Sequence, residues 1–194
     1  LLTHIRQSAI LAVVCVLVFG LGYGLLGTGV AQLFFRHQAD GSLTANGSTL
    51  IGQNWNGYST TKILHPRWFH GRPDSDDPLV ANGKPGITAS SNLGPRSKVL
   101  LTDVKALVKA WHAVGVSPTE DLVTTSGSSV DPDITPADAL AQVPMVSRAT
   151  GISPSRLRSL IAKETHGPEL GFLGSSYLVV LQLNEALATL EASR

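Results

Sequence analysis

The chain has 194 residues, with 15 Lys and Arg against 14 Asp and Glu, for a formal net charge of +1. That balance gives no single-sign field, and no basic run is interleaved with aromatic residues, so nucleic acid is not an expected partner. The single cysteine, Cys15, offers no disulfide framework, and the length beyond the first forty residues suits one cored domain rather than two.

No Asp, Glu, Lys or Arg occurs between Arg6 and Arg36. A bilayer core of about 30 Å needs about 20 mostly apolar helical residues, so residues 7–30 are expected to span a membrane once, after a short N-terminal segment, 1–6. Two other readings use the same residues. Gly29-Val30-Ala31 offers small side chains where a signal peptidase could cut, and Cys15 could carry a lipid. A signal-peptide apolar run is usually ~7–15 residues long, and Val14 is a poor neighbour for a modified cysteine, so a retained anchor is favoured. His4 and Arg6 before the span, against Arg36 with the opposing Asp40 after it, put the N-terminus in the cytoplasm and the main domain outside. Gly20, Gly24 and Thr28 recur at spacings of four, a row of small residues that would let another membrane helix approach closely. Residues 31–40 read as a linker and 41–194 as the extracytoplasmic domain.

Asn46-Gly47, flanked by Leu43-Thr44-Ala45 and Thr49-Leu50-Ile51, predicts a tight β-hairpin. The stretch from His65 to Pro73 packs two histidines, two arginines and two aromatic rings between prolines. It could bind an anion or a partner; alternatively it is a packed loop that buries Trp68 and Phe69 while Arg67 and Arg72 fix backbone carbonyls. His65 and His70 have no second ligand pair, and Asp74, Asp76 and Asp77 lack the full calcium-loop alternation, so no metal is assigned.

Turn residues from Ser90 to Pro95 precede a helix carrying Val99, Leu100, Val104, Leu107, Val108 and Trp111, with Gly115 as its stop. Leu122 to Thr125 reads as a short buried strand. The following Ser126-Gly127-Ser128-Ser129, with Asp131 nearby, invites a hydrolase reading, but it lacks the Gly-x-Ser-x-Gly elbow and has no ordered histidine base. Thr135-Pro136-Ala137-Asp138 starts a helix that Pro144 should end or kink, with Gln142 bonding the carbonyls freed at the bend. Ser153-Pro154 starts another, carrying Leu157, Leu160 and Ile161 and stopped by Gly167-Pro168. Tyr177 to Leu181 reads as a strand, before a terminal amphipathic helix with Leu183, Leu187 and Leu190. The expected class is α+β, a single N-terminal transmembrane helix followed by one compact extracytoplasmic domain.

Several phrases occur in a telling order: Gly47-Ser48-Thr49-Leu50-Ile51-Gly52-Gln53, Phe69-His70-Gly71-Arg72-Pro73, Ser91-Asn92-Leu93-Gly94-Pro95, Thr125-Ser126-Gly127-Ser128, Asp131-Pro132, Gln142-Val143-Pro144, Gly171-Phe172-Leu173-Gly174 and Leu181-x-Leu183-Asn184. In these the chain resembles the C subunit of the Kdp potassium-transporting ATPase over essentially its whole length. It departs from the family at Asp74, Ser129-Val130, Asp133 and Ser175-Ser176-Tyr177. The resemblance implies a non-catalytic assembly or stabilising subunit of an ATP-driven, high-affinity potassium uptake complex in a bacterial plasma membrane. Its partners would be the potassium-binding A subunit, which it would brace, the P-type ATPase B subunit and a small F subunit, besides membrane lipid. ATP and potassium would be handled by those partners, with no cofactor or metal bound directly. The family is credited with helping the complex bind ATP, with attention on the segment around Gln142, yet the topology above puts Gln142 on the far side from cellular ATP. The candidate interface or structural residues are Phe69, His70, Gly71, Arg72, Pro73, Ser91, Asn92, Asp131 and Gln142. The alternative is a membrane-anchored extracytoplasmic serine hydrolase built on Ser126, Ser128 or Ser129.

Overall fold

The computed structural model describes residues 2–55, 65–73, 88 and 90–193. The aspartates at 74, 76 and 77, and nearly all of the Pro73 to Gly86 loop, lie outside them. The chain divides into two compact units, Leu1–Leu43 and Thr44–Arg194.

The first unit is dominated by α1, Leu2–Phe34, 33 residues long and apolar enough to cross a membrane. At 1.5 Å per residue it is about 50 Å long, more than a hydrocarbon core requires, and it extends past both ends of the expected span. Its large apolar side chains are unburied, as at Phe19 and Leu25. Over Val16–Gly22, which includes Gly20, the hydrogen bonding widens to the π pattern; Gly24 and Thr28 follow in the α-helical part, Tyr23–Phe34. A further helical turn, α2 (Arg36–Ala39), occupies the expected linker.

At the boundary of the two units and into the second, β1 (Leu43–Thr44) and β2 (Gly47–Ser48) form a hairpin where one is expected, but the second strand is Gly47–Ser48, and Thr49 to Ile51, read as its flank, are turn and bend. The hairpin turn is one residue earlier than the Asn46-Gly47 signal, at Ala45 and Asn46. Gly47 enters β2 at φ 149°, a conformation side-chain-bearing residues rarely adopt, and a Cβ there would run into the Gln53 amide.

Helix α3, Lys98–Ala113, starts where the Ser97 hydroxyl accepts from the Leu100 N–H at 3.4 Å. It buries Leu107 and Trp111 and gives way to Gly115 at φ 75°. The strand expected at Leu122 to Thr125 is instead a 3₁₀ turn, Asp121–Val123. The Trp111 indole N–H donates to the Leu122 carbonyl at 3.0 Å, and the Val123 N–H bonds Glu120. The two apolar residues are buried by a turn rather than by a sheet.

The second sheet pairs β3 (Asp133–Ile134) antiparallel with β4 (Leu178–Val179), with Asp133 opposite Val179 and Ile134 opposite Leu178. Between them lie α4 (Pro136–Thr150) and α5 (Pro154–Glu164). Thr135 and Asp138 form a reciprocal capping box: the Thr135 hydroxyl accepts from the Asp138 N–H at 3.2 Å and the Asp138 carboxylate from the Thr135 N–H at 2.8 Å. Pro144 does not end α4, which runs on to Gly151 at φ 71°. Pro144 and Leu140, whose carbonyl loses its helical donor, are both exposed, so water can serve that carbonyl. The strand expected over Tyr177 to Leu181 is cut short, because α6 (Val180–Ala192) begins at Val180, whose N–H bonds the Pro132 carbonyl at 2.9 Å. One apolar core joins α3 to α6, with Trp111, Val143, Leu157, Leu183 and Leu187 at its centre.

Candidate functional site

Phe69 and His70 are completely buried at 0% exposure in a stretch without strand partners. Buried peptide groups must be hydrogen-bonded somewhere, and here two side-chain amides do it. Asn184 of α6 accepts from the Phe69 N–H and donates to the Phe69 carbonyl, both at 2.9 Å. Gln142 of α4 accepts from the His70 N–H at 2.8 Å and donates to the His70 carbonyl at 3.0 Å. Each amide supplies the donor and acceptor that an adjacent strand would offer, so two helices grip consecutive peptide units. The expectation that Gln142 serves carbonyls freed by Pro144 is therefore corrected: its amide is spent on His70.

The His70 ring continues the clamp. Its Nε2 lies 2.9 Å from the His65 carbonyl, to which it donates, while Nδ1 is buried with no partner among the described residues. The ring stands edge-on to Trp111, with centroids 5.9 Å apart. Burial lowers its pKa from 6.5 to about 4, since protonation would create a second N–H with no acceptor. The stability held by the neutral ring is complete above pH 6.5 and is lost as pH falls through about 4, in total about 3 kcal/mol. Asp133 works in the opposite sense: burial, then the Asp131 charge, raises it to about 6. Its contribution is present below its ordinary value and is lost as pH rises through about 6. From pH 7 to pH 4 the urea midpoint of the wild type should fall relative to that of His70→Phe, in which only the gain at Asp133 remains; the same change in both would show that His70 carries no acid sensitivity.

Arg72 holds the far end of the loop. Its guanidinium donates to the Thr125 carbonyl at 3.2 Å and to Thr124 at 3.5 Å, and approaches Asp121 at 3.7 Å and Asp131 at 3.8 Å. The packed-loop reading is right for Arg72 but not for Arg67, which pairs with the Glu191 carboxylate at 2.7 Å and lies over the Trp68 ring. Pro73 is buried, Gly71 half-buried, and Trp68 packs against Trp55 with ring centroids 5.5 Å apart. Ser91 joins by accepting from the Thr125 hydroxyl at 3.4 Å, whereas Asn92, at φ 52°, is exposed and, among the described residues, accepts from the Ser90 hydroxyl. Gly52 reaches the same loop: its N–H bonds the Val130 carbonyl at 2.8 Å, and a Cβ would sit 2.6 Å from the Asp131 carbonyl oxygen. Asp131 also accepts from the Asp133 N–H at 3.1 Å.

These separate stretches are joined in one network, and comparison with known proteins finds the same kind of chain. The family model described as "KdpC: K+-transporting ATPase, c chain" matches residues 5–189. The chain belongs to the KdpC family. Relatives named "Potassium-transporting ATPase KdpC subunit" include one from Sorangium cellulosum, 42% identical and covering 96% of this chain and 98% of its own length. Another, from Gloeobacter violaceus, is 43% identical over 95% and 93% of the two chains. A third, from Methylobacterium nodulans, is 39% identical over 96% and 97%.

In this KdpC-family chain the serine loop is a turn. Ser126 and Ser129 are buried and Ser128 exposed, the Ser126 and Ser128 hydroxyls are 3.5 Å apart, and Ser128 accepts from the Val130 N–H. Among the described residues no histidine is hydrogen-bonded to any of the three, and no cluster of three His, Cys, Asp or Glu could hold a metal. The candidate residues missed Asn184, the partner of Gln142 in the clamp. The signal for it was an amide on the apolar face between Leu183 and Leu187, where an unpaired polar group would be costly.

Proposed function

We propose that this chain is a non-catalytic accessory subunit of a potassium-transporting ATPase, held in the membrane by α1 and helping to assemble or brace the complex. The carrying observation is that the family match spans the apolar helix and the domain alike, from residue 5 to residue 189. The structure supports an accessory role because four of the family phrases are tied up in internal bonds: Gln142 and Asn184 grip a loop, Arg72 ties it down, and Gly52 seats the hairpin. A fully buried Gln142 with both ends of its amide engaged speaks against direct nucleotide contact at that residue. ATP hydrolysis and potassium binding then belong to partner subunits, here taken as the potassium-binding A, P-type ATPase B and small F subunits. By the charge bias around α1, the domain lies outside the cytoplasm.

Tagged full-length chain, expressed with the other subunits and extracted in mild detergent, should bring them down together; recovery of the chain alone would refute the reading. For the orientation, Lys109 is an exposed reporter position on α3, whereas Gln142 is buried. Lys109→Cys in a Cys15→Ser background should react with an impermeant thiol reagent added outside intact cells, and protection would reverse the topology.

A further inference from the structure

From His166 to Tyr177 the chain leaves the core and returns as a two-runged finger. At its base His166 and Tyr177 exchange both backbone hydrogen bonds, at 2.8 and 3.1 Å, and their rings stack with centroids 5.0 Å apart. A second rung joins Glu169 and Leu173 through two bonds of 2.9 Å, and the Gly171 N–H closes on the Pro168 carbonyl at 3.0 Å. Tyr177 runs directly into β4, so the base is continuous with the core sheet.

The tip carries what the core would ordinarily take. Leu170 is 81% exposed, Phe172 74% and Leu173 50%. Leu170 also sits at φ 52°, a left-handed conformation disfavoured for a bulky side chain. A single exposed leucine needs no explanation, but three large apolar side chains on a strained and braced tip form a surface built to be covered. The braced backbone means little ordering remains to be done on binding.

We propose that this finger docks into an apolar cleft of another subunit of the ATPase, with Leu170 and Phe172 as anchors and a donor or positive group on the cleft rim meeting Glu169. The inference rests on the accessory-subunit reading above. Charge decides against the bilayer as occupant: from His166 to Tyr177 there is no Lys, Arg or Trp, and the one acid, Glu169, is exposed. Interfacial membrane binders draw on basic and tryptophan side chains that this finger lacks. A compact apolar anchor that fills a desolvated pocket is the pattern of an interface hot spot.

The test uses full-length tagged chain expressed with the remaining subunits. Phe172→Asp and Leu170→Asp should each lower recovery of those subunits at least tenfold, with the melting temperature of the purified chain unchanged because the tip is exposed. Leu170→Gly, which keeps the left-handed turn and removes the anchor, should also lower recovery. Wild-type recovery by all three variants would overturn the proposal, whereas failure of the wild type to recover any subunit would strike the accessory-subunit reading itself. In proteoliposomes, a polarity-sensitive fluorophore on Phe172→Cys in a Cys15→Ser background should shift to the blue only when the other subunits are present. A blue shift in phosphatidylcholine vesicles holding this chain alone would assign the tip to lipid, and disulfide cross-linking between Phe172→Cys chains alone would assign it to a second copy. Either result would overturn the proposal.

Discussion

Gln142→Met is expected to destabilise the domain by about 2–6 kcal/mol, since it leaves the His70 N–H and carbonyl unsatisfied at about 1–3 kcal/mol each. The side chain is at 0% exposure, so water cannot readily take its place, and methionine nearly preserves the volume, so the loss reports the hydrogen bonds rather than a cavity. For a domain of this size that is a fall of roughly 5–20 °C in melting temperature. Urea or thermal unfolding of the full chain in detergent would measure it. A loss below about 1 kcal/mol would mean that the loop satisfies its peptide groups in another way and that the clamp is incidental.

The parts of this fold that were legible are those in which neighbouring residues decide the outcome. Ser153 and the Thr135–Asp138 box each start a helix as expected, and the helix expected after Ser90 to Pro95 is capped by Ser97, because a cap is settled within one turn. Where apolar β-branched runs were read as strands, tertiary contacts decided. Leu122 and Val123 follow the Trp111 indole into a 3₁₀ turn, and Val180 opens a helix whose first N–H, unpaired within the helix, is satisfied by the Pro132 carbonyl. A short apolar run does not by its period distinguish a strand from the buried start of a helix. The clamp is harder still to read, since Gln142 and Asn184 meet their partners across 72 and 115 residues of chain. Neighbouring residues give no sign that an amide on a helix will complete a distant loop. What sequence does offer is the cost of burying that amide unpaired, which marks Asn184 as a residue in need of a partner without naming the partner.

Asn184→Asp should convert the clamp into a pH-dependent one. The new side chain has the same shape, and at neutral pH its carboxylate would still accept from the Phe69 N–H. It could not donate to the Phe69 carbonyl, which lies 2.9 Å from the amide nitrogen, so two oxygens would face each other in a site only 1% exposed. Only the protonated acid restores the donor. Burial and the opposed carbonyl therefore raise the folded-state pKa above the ordinary aspartate value of about 3.9. The folded state then holds the proton to higher pH than the unfolded chain. The variant's stability should approach that of the wild type near pH 4 and fall as pH rises through the raised pKa, to a deficit of about 3–5 kcal/mol at neutral pH, the usual cost of an unpaired buried charge. This slope is opposite to that of His70, which loses stability toward acid as its ring is forced to take a proton. Asn184→Leu provides the comparison: it removes donor and acceptor together, and its deficit against the wild type should stay constant across the same range. Urea midpoints at pH 4, 5.5 and 7 separate the cases. If Asn184→Asp and Asn184→Leu ran parallel, the Phe69 carbonyl would not depend on the Asn184 donor, and the grip of α6 on the loop would rest on packing alone.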